Sequence, residues 1–133
     1  MSLPLKNDLI RINRFFLGFF KYLMENQETA KEWCRLGMIV GIKIQDLNLG
    51  YTINCLPQEI EIDSGYPKNP DVGISFTSDT FHDLFIGKIN ATMSLALGEI
   101  RTSGPTKNIL RIARILPKTY AVYEEFLKES EFI

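Results

Sequence analysis

Apolar residues recur at helical spacing over residues 7–26. Leu9, Ile12, Phe16, Phe19, Phe20 and Leu23 fall about three or four apart and share one face. Phe15, Leu17 and Tyr22 widen that face beyond a single stripe. A second short helix is expected over 28–35, with Trp33 turned inward. From Met38 the period drops to two. Val40, Ile42 and Ile44 alternate with other residues, as do Tyr51, Ile53 and Cys55, and then Ile60 and Ile62. Successive side chains of a strand point to opposite faces, so each segment reads as a half-buried strand. The breaks at 46–50 and 56–58 are short enough for an antiparallel meander. Residues 65–70 (GYPKNP) read as a loop, and Val72, Ile74 and Phe76 mark a fourth strand.

Helical signals return after Phe76. Ser78 or Asp79 is expected to cap the next helix, because a short side-chain oxygen accepts from the free N–H groups of a first turn. Gly87 is placed to end it at positive φ. Asn90 caps another short helix that stops at Gly98, and 98–104 (GEIRTSG) reads as a short fifth strand. Pro105 suits the first turn of a helix running to Leu116. Pro117 is expected to break that helix, with a last helix over about 118–129. The order α-α-β-β-β-β-α-α-β-α-α describes an α+β fold: a five-stranded, mostly antiparallel sheet with helices covering one face. No repeat or linker interrupts the 133 residues, so 1–133 reads as one domain with N-terminal helices at about 7–35.

Composition narrows the classes of function. The chain is 45% hydrophobic and 23% charged, as globular proteins are, and its net charge of −1 gives no draw toward nucleic acid. Cys34 and Cys55 form no CxxC pair and are expected to be buried thiols in a reducing compartment. The start of the chain lacks a basic stretch followed by an apolar one, as a secretory leader would have. The run 15–20 (FFLGFF) is bracketed by Arg14 and Lys21 and is far short of the ~20 residues a bilayer requires. A cytoplasmic protein is expected.

Candidate chemistry is sparse. His82 has Asp79 and Asp83 nearby, but helical phase turns it away from Phe81 and Phe85, toward solvent. There is no second His to share a metal, and no GxSxG nucleophile motif. Glu59, Glu61 and Asp63 alternate along one strand and share a solvent face, where burial cannot push their pKa values apart. No catalytic residue, metal or cofactor is expected. Lys107, Arg111, Arg114 and Lys118 form a basic stripe at steps of four, three and four, with no acid from Arg101 to Val122. Such a stripe serves as a solvated helix face, or meets an anionic headgroup or membrane surface.

The run from GISFTSD (73–79) through LFIGKINATMSLALGEIRTSG (84–104) into the basic, apolar helix beyond resembles the sterol carrier protein family of lipid-binding domains. Asp79, Leu84, Gly87, Lys88, Ile89, Asn90, Gly98 and Gly104 carry the resemblance, which extends over roughly 38–116. Ser94 stands where Ala is common and Pro105 where Asn or Asp is usual. The C-terminal peroxisomal signal of many eukaryotic members is absent from 129–133. The resemblance implies an apolar tunnel between sheet and helices that holds a sterol, fatty acid, acyl-CoA or phospholipid without chemistry. Some members of that family are accessory domains of larger enzymes.

The apolar surplus suits such a tunnel. Phe81 and Phe85 share one helical face, Ile89, Met93 and Leu97 another, and Ile109, Ile112, Ile115 and Leu116 a third, while Phe76 points from the sheet. These ten residues are the candidate ligand contacts. The alternative is the same fold with a filled core, serving as an assembly or accessory module that docks or dimerises through its first helix. Phe15 and Tyr22 lie seven residues apart, two turns along one line, and form the edge expected to meet a second copy in a homodimer.

Overall fold

A computed structural model describes residues 8–56 and 59–129. Residue 7 of the expected first helix, part of the expected break at 56–58, and residues 130–133 lie outside the described residues. The elements are α1 (Leu9–Glu25), α2 (Gln27–Cys34), β1 (Ile39–Ile44), a 3-10 turn (Gln45–Leu47), β2 (Leu49–Cys55), β3 (Ile60–Ser64) and β4 (Val72–Phe76). They continue with α3 (Ser78–Phe85), α4 (Ala91–Ala96), β5 (Arg101–Ser103) and α5 (Thr106–Glu129).

The five strands form one sheet in the order β3-β2-β1-β4-β5. Three pairs are antiparallel, and β1 with β4 is parallel, from Val40 opposite Val72 to Ile44 opposite Phe76. The parallel pair arises because the chain crosses from the β3 edge to the far side of β1. Residues after β3 make this crossing over the outer face, where Tyr66 lies across glycines of three strands. A Cβ at Gly41 would sit 2.8 Å from the Tyr66 ring, and one at Gly73 would collide with the Tyr66 hydroxyl and Ser103 Oγ. Asp71 ends the crossing: its carboxylate accepts the Ile39 N–H at 2.7 Å and its own N–H donates to the Ile39 carbonyl at 2.8 Å.

Period two decides which strand residues face the helices. Val40, Ile42, Ile44, Tyr51, Ile53, Cys55, Val72 and Phe76 are all buried. Tyr51 Oη donates to Asn13 Oδ1 at 2.7 Å and ties this face to α1.

Helix starts follow the capping chemistry, with one shift of residue. Asn90 caps α4 as expected, accepting the Met93 N–H at 3.1 Å. The cap of α3 is Thr77, not Ser78 or Asp79; its Oγ1 accepts the Thr80 N–H at 3.1 Å. Ser78 is drawn elsewhere, donating its N–H and hydroxyl to the two carboxylate oxygens of Asp46 at 2.8 and 2.6 Å. Gly87 and Gly98 close their helices at φ of 80° and 76°, where a Cβ is disfavoured.

The C-terminal region departs from expectation. Pro117 does not break the helix, and α5 runs through it for 24 residues. A proline inside a helix removes one hydrogen bond and costs about 3 kcal/mol. Ile112 and Ile115 before it, and Thr119, Val122, Tyr123 and Phe126 after it, are buried on the same helix. Burying each large apolar side chain is worth roughly 1.5–3 kcal/mol, so packing on both sides outweighs the break.

The same long helix answers the question of Phe15 and Tyr22. Phe15 is 1% exposed, with its ring 6.3 Å from Tyr123 and 5.4 Å from Phe126. Tyr22 packs on Phe126 at 5.5 Å and donates its hydroxyl to Glu129 Oε2 at 3.0 Å. The edge expected to meet a sibling chain is covered by α5, and this removes the observation that motivated a homodimer.

An apolar cavity between sheet and helices

The space between sheet and helices is unevenly filled. Toward α1 and the second half of α5, aromatic rings close it. Phe16, Phe19, Phe81, Phe85 and Tyr123 stack edge-on or tilted, with centroids 4.5–6.0 Å apart in the pairs Phe81–Phe85, Phe19–Tyr123, Phe16–Phe81 and Phe19–Phe81. Toward α2, α4 and the first half of α5, the packing leaves a cavity of about 80 Å³.

Six of the ten expected contacts line it: Phe76, Phe81, Phe85, Ile109, Ile112 and Leu116. Four do not. Ile115 is buried but away from the cavity wall, and Ile89 is half-buried against the core. Met93 and Leu97 point outward and are 60% and 68% exposed. The reason is the phase of α4. Starting from the Asn90 cap, this six-residue helix turns Ala91, Ser94 and Leu95 inward, with Ser94 only 1% exposed and Ala91 and Leu95 lining the cavity. Side-chain size suggested the opposite face.

Other lining residues were read from the sequence only as inward-facing. Trp33 of α2 and Ile42, Ile53 and Ile74 of the strands are among them. Period two identifies the strand residues as inward, but carries no signal that separates cavity wall from filled core. Leu95, Thr102 and Ala113 line the cavity and are also exposed, so it opens to the surface where α4, β5 and α5 meet.

Among the described residues, no charged side chain lines the cavity. The Thr119 hydroxyl is already committed, donating to the Ile115 carbonyl at 3.1 Å. Trp33 Nε1 is buried and has no hydrogen-bond acceptor among the described residues. Such a donor is costly to leave unpaired.

The basic stripe divides in two. Arg111 Nη2 donates to the Arg35 carbonyl at 2.9 Å, and Lys118 Nζ pairs with Glu32 Oε1 at 3.0 Å. The Lys118 hydrogen bond holds the Glu32 carboxyl below its usual range. These two cations fasten α5 to α2. Lys107 and Arg114 are exposed, and no hydrogen bond or ion pair among the described residues involves them.

His82 is buried, contrary to expectation, with Nδ1 2.7 Å from the fully buried Tyr123 hydroxyl. The continuation of α5 past Pro117 brings Tyr123 over the face of α3 that carries His82. Burial lowers the His82 pKa and raises that of Tyr123. Glu61 and Asp63 of β3 are exposed, as their alternation implied. Among the described residues, no group of three or more His, Cys, Asp or Glu is placed to hold a metal ion.

Helices cover one face of the sheet, and an apolar cavity lies beneath them. Residues 20–117 match the SCP-2 sterol transfer family, and the chain belongs to that family of lipid-binding and transfer domains. Solved structures agree on the fold. The sterol carrier protein domain 2 of Helicoverpa armigera aligns with a TM-score of 0.60 at 17% identity, over 74% of this chain and 80% of that one. The apo sterol carrier protein 2 from Yarrowia lipolytica aligns with a TM-score of 0.57 at 18% identity, over 77% and 88%. The inverting sec-alkylsulfatase Pisa1 from Pseudomonas sp. aligns with a TM-score of 0.52 at 14% identity, over 68% of this chain but 13% of the enzyme. The chain thus spans a small part of the alkylsulfatase. No curated protein matches the sequence. No helix among the described residues is long and apolar enough to cross a membrane.

Proposed function

We propose that residues 1–133 form one non-catalytic lipid-carrier domain, which holds the apolar part of a fatty-acyl, phospholipid or sterol-like ligand between sheet and helices. The observation that carries this reading is the cavity itself. It has no charged lining among the described residues, it reaches the surface at Leu95, Thr102 and Ala113, and it lies where the family's resemblance implies a tunnel. Phe76, Phe81, Phe85, Ile109, Ile112 and Leu116 are the proposed contacts. At about 80 Å³ the cavity is smaller than the roughly 300–1,000 Å³ of most small-molecule sites. Loading therefore requires the short helices α2 and α4 to move outward from the sheet. A ligand oxygen within reach of Trp33 Nε1 would satisfy that donor. Cys34 and Cys55 are free thiols, which favours a reducing compartment such as the cytoplasm.

Delipidated protein incubated with oleic acid, palmitoyl-CoA, phosphatidylglycerol and cholesterol, then examined by native mass spectrometry, tests the reading. A retained lipid should also raise the melting temperature. Binding to the folded state alone stabilises by RT ln(1 + [L]/Kd), about 2.7 kcal/mol at a hundredfold excess over Kd. Failure of all four to bind or to shift melting would overturn it. The second reading, an accessory module with no ligand, is favoured by the aromatic packing that closes most of the space beneath the sheet. It is the reading that this failure would leave.

A further inference from the structure

We propose that the rim of the cavity mouth, formed by the outer face of α4 and the adjoining face of α5, is a docking surface for an anionic lipid bilayer; this rests on the lipid-carrier reading. Four large apolar side chains are exposed there or one helical turn away: Met93 at 60%, Leu95 at 40%, Leu97 at 68% and Leu110 at 54%. Leu95 is at once exposed and part of the cavity wall, so α4 presents Met93 and Leu97 to solvent and Ala91 and Leu95 to the cavity. On α5, with about 100° of rotation per residue, Leu110 falls between Ala113 on one side and Lys107 and Arg114 on the other. Ala113 lines the mouth. The order across the helix is therefore mouth, apolar residue, exposed cations.

Charge chooses the occupant. Residues 86–122 hold six Lys or Arg and a single acid, Glu99, in a chain whose net charge is −1. Arg111 and Lys118 are committed to α2, whereas Lys107 and Arg114 remain exposed beside Leu110. Exposed apolar side chains flanked by cations fit the interface of a bilayer rich in anionic headgroups, where apolar groups enter the acyl boundary and cations stay at headgroup level. A ligand could then pass between bilayer and cavity without crossing water.

Flotation with vesicles of phosphatidylcholine containing 30% phosphatidylglycerol, against phosphatidylcholine alone, tests this. The wild type should bind the anionic vesicles at least tenfold more strongly, and lose that binding as salt rises, because exposed charges are screened over about 10 Å at 0.1 M. Met93→Asp with Leu97→Asp, and separately Lys107→Glu with Arg114→Glu, should each weaken binding about tenfold or more, with circular dichroism and melting unchanged. Leu9→Asp with Ile10→Asp, which alters an exposed apolar pair at the start of α1, should have no effect on vesicle binding. Absence of wild-type binding, or equal binding by the Met93 and Leu97 variant, would overturn the proposal. So would a dimer in sedimentation that this variant abolishes, since the face would then belong to a second copy. Native mass spectrometry of the same variants with oleic acid in solution separates the two readings. Vesicle binding that depends on Met93 and Leu97 without any oleic acid uptake supports the docking surface and counts against the carrier.

Discussion

Two regions under the same sheet differ in how they are filled. On the side of α1, Phe16, Phe19, Phe81 and Tyr123 interlock, four rings from three helices far apart in sequence, and Phe19 and Phe81 also form the wall shared with the cavity. On the side of α2 and α4, Trp33, Ala91, Leu95 and Ile109 enclose a void. Both sides are apolar, so composition does not separate them. What differs is helix length and side-chain bulk. α1 and α5 have 17 and 24 residues and can bring many rings together; α4 has six and turns two small side chains, Ala91 and Ser94, inward. A short helix carrying small inward residues leaves space and is easily displaced. The aromatic side supplies rigidity, and the cavity side supplies room.

Truncation on the two sides should have unequal effects. Phe16→Ala removes a fully buried ring that touches Phe15, Tyr51 and Phe81, and should cost about 3–5 kcal/mol in urea denaturation. Leu116→Ala shortens a half-buried side chain that already faces the void, and should cost less than about 2 kcal/mol. Equal losses would mean that the cavity side is packed as tightly as the aromatic side.

The glycines flanking α4 come next in size. Gly87→Ala and Gly98→Ala force a side chain into positive φ, although each has open space around it. Each should lower stability by about 1 kcal/mol, from backbone conformation rather than collision. Unchanged denaturation midpoints for both would show that α4 relaxes freely.

A pH effect probes the aromatic side. Burial depresses the His82 pKa, so the unfolded chain takes up a proton at higher pH than the folded one. The stability contributed by this group is complete above about pH 6.5, the unfolded value, and is lost as pH falls below it. The slope is at most about 1.4 kcal/mol per pH unit for one proton. Asp79 and Asp83 on α3 counter the shift, and Tyr123 stays neutral as the hydrogen-bond partner. The melting temperature should fall between pH 7.5 and 5.5, and His82→Gln should flatten that dependence. His82 is the sole histidine, so its imidazole resonance reports the pKa directly. A value at or above 6.5 would remove the basis of the prediction.

The smallest effect on stability is expected on the cavity side. Trp33→Phe deletes a buried donor that has no acceptor among the described residues, so the ligand-free protein should change by less than about 1 kcal/mol or gain slightly. Affinity for a lipid with an oxygen near that indole should fall, and affinity for a pure hydrocarbon should not. Equal loss for both would trace the effect to ring shape.

Period and punctuation carried most of the fold. Alternation in β1, β2 and β4 identified the inward residues, and Asn90, Gly87 and Gly98 marked the ends of short helices, because these signals depend on local backbone geometry. Side-chain identity on α4 misled, since Met93 and Leu97 are larger than Ala91 and Ser94 yet face solvent. The hydrophobic effect is non-directional, so an apolar residue does not encode whether its neighbour is protein, lipid or water.

The sequence by itself determined the α+β class, the five strands and the helix cap at Asn90, which rest on local periodicity, and motif spacing carried a resemblance to a lipid-binding family. Only the tertiary structure decided that α5 continues through Pro117, and three further results follow from that one fact. Phe15 and Tyr22 are covered within the chain, His82 is buried against Tyr123, and Lys118 is held by Glu32 across 86 residues of sequence. Each is a contact between distant segments. A break at proline is a local preference of about 3 kcal/mol, and several long-range burials together exceed it, which no short window of sequence can register.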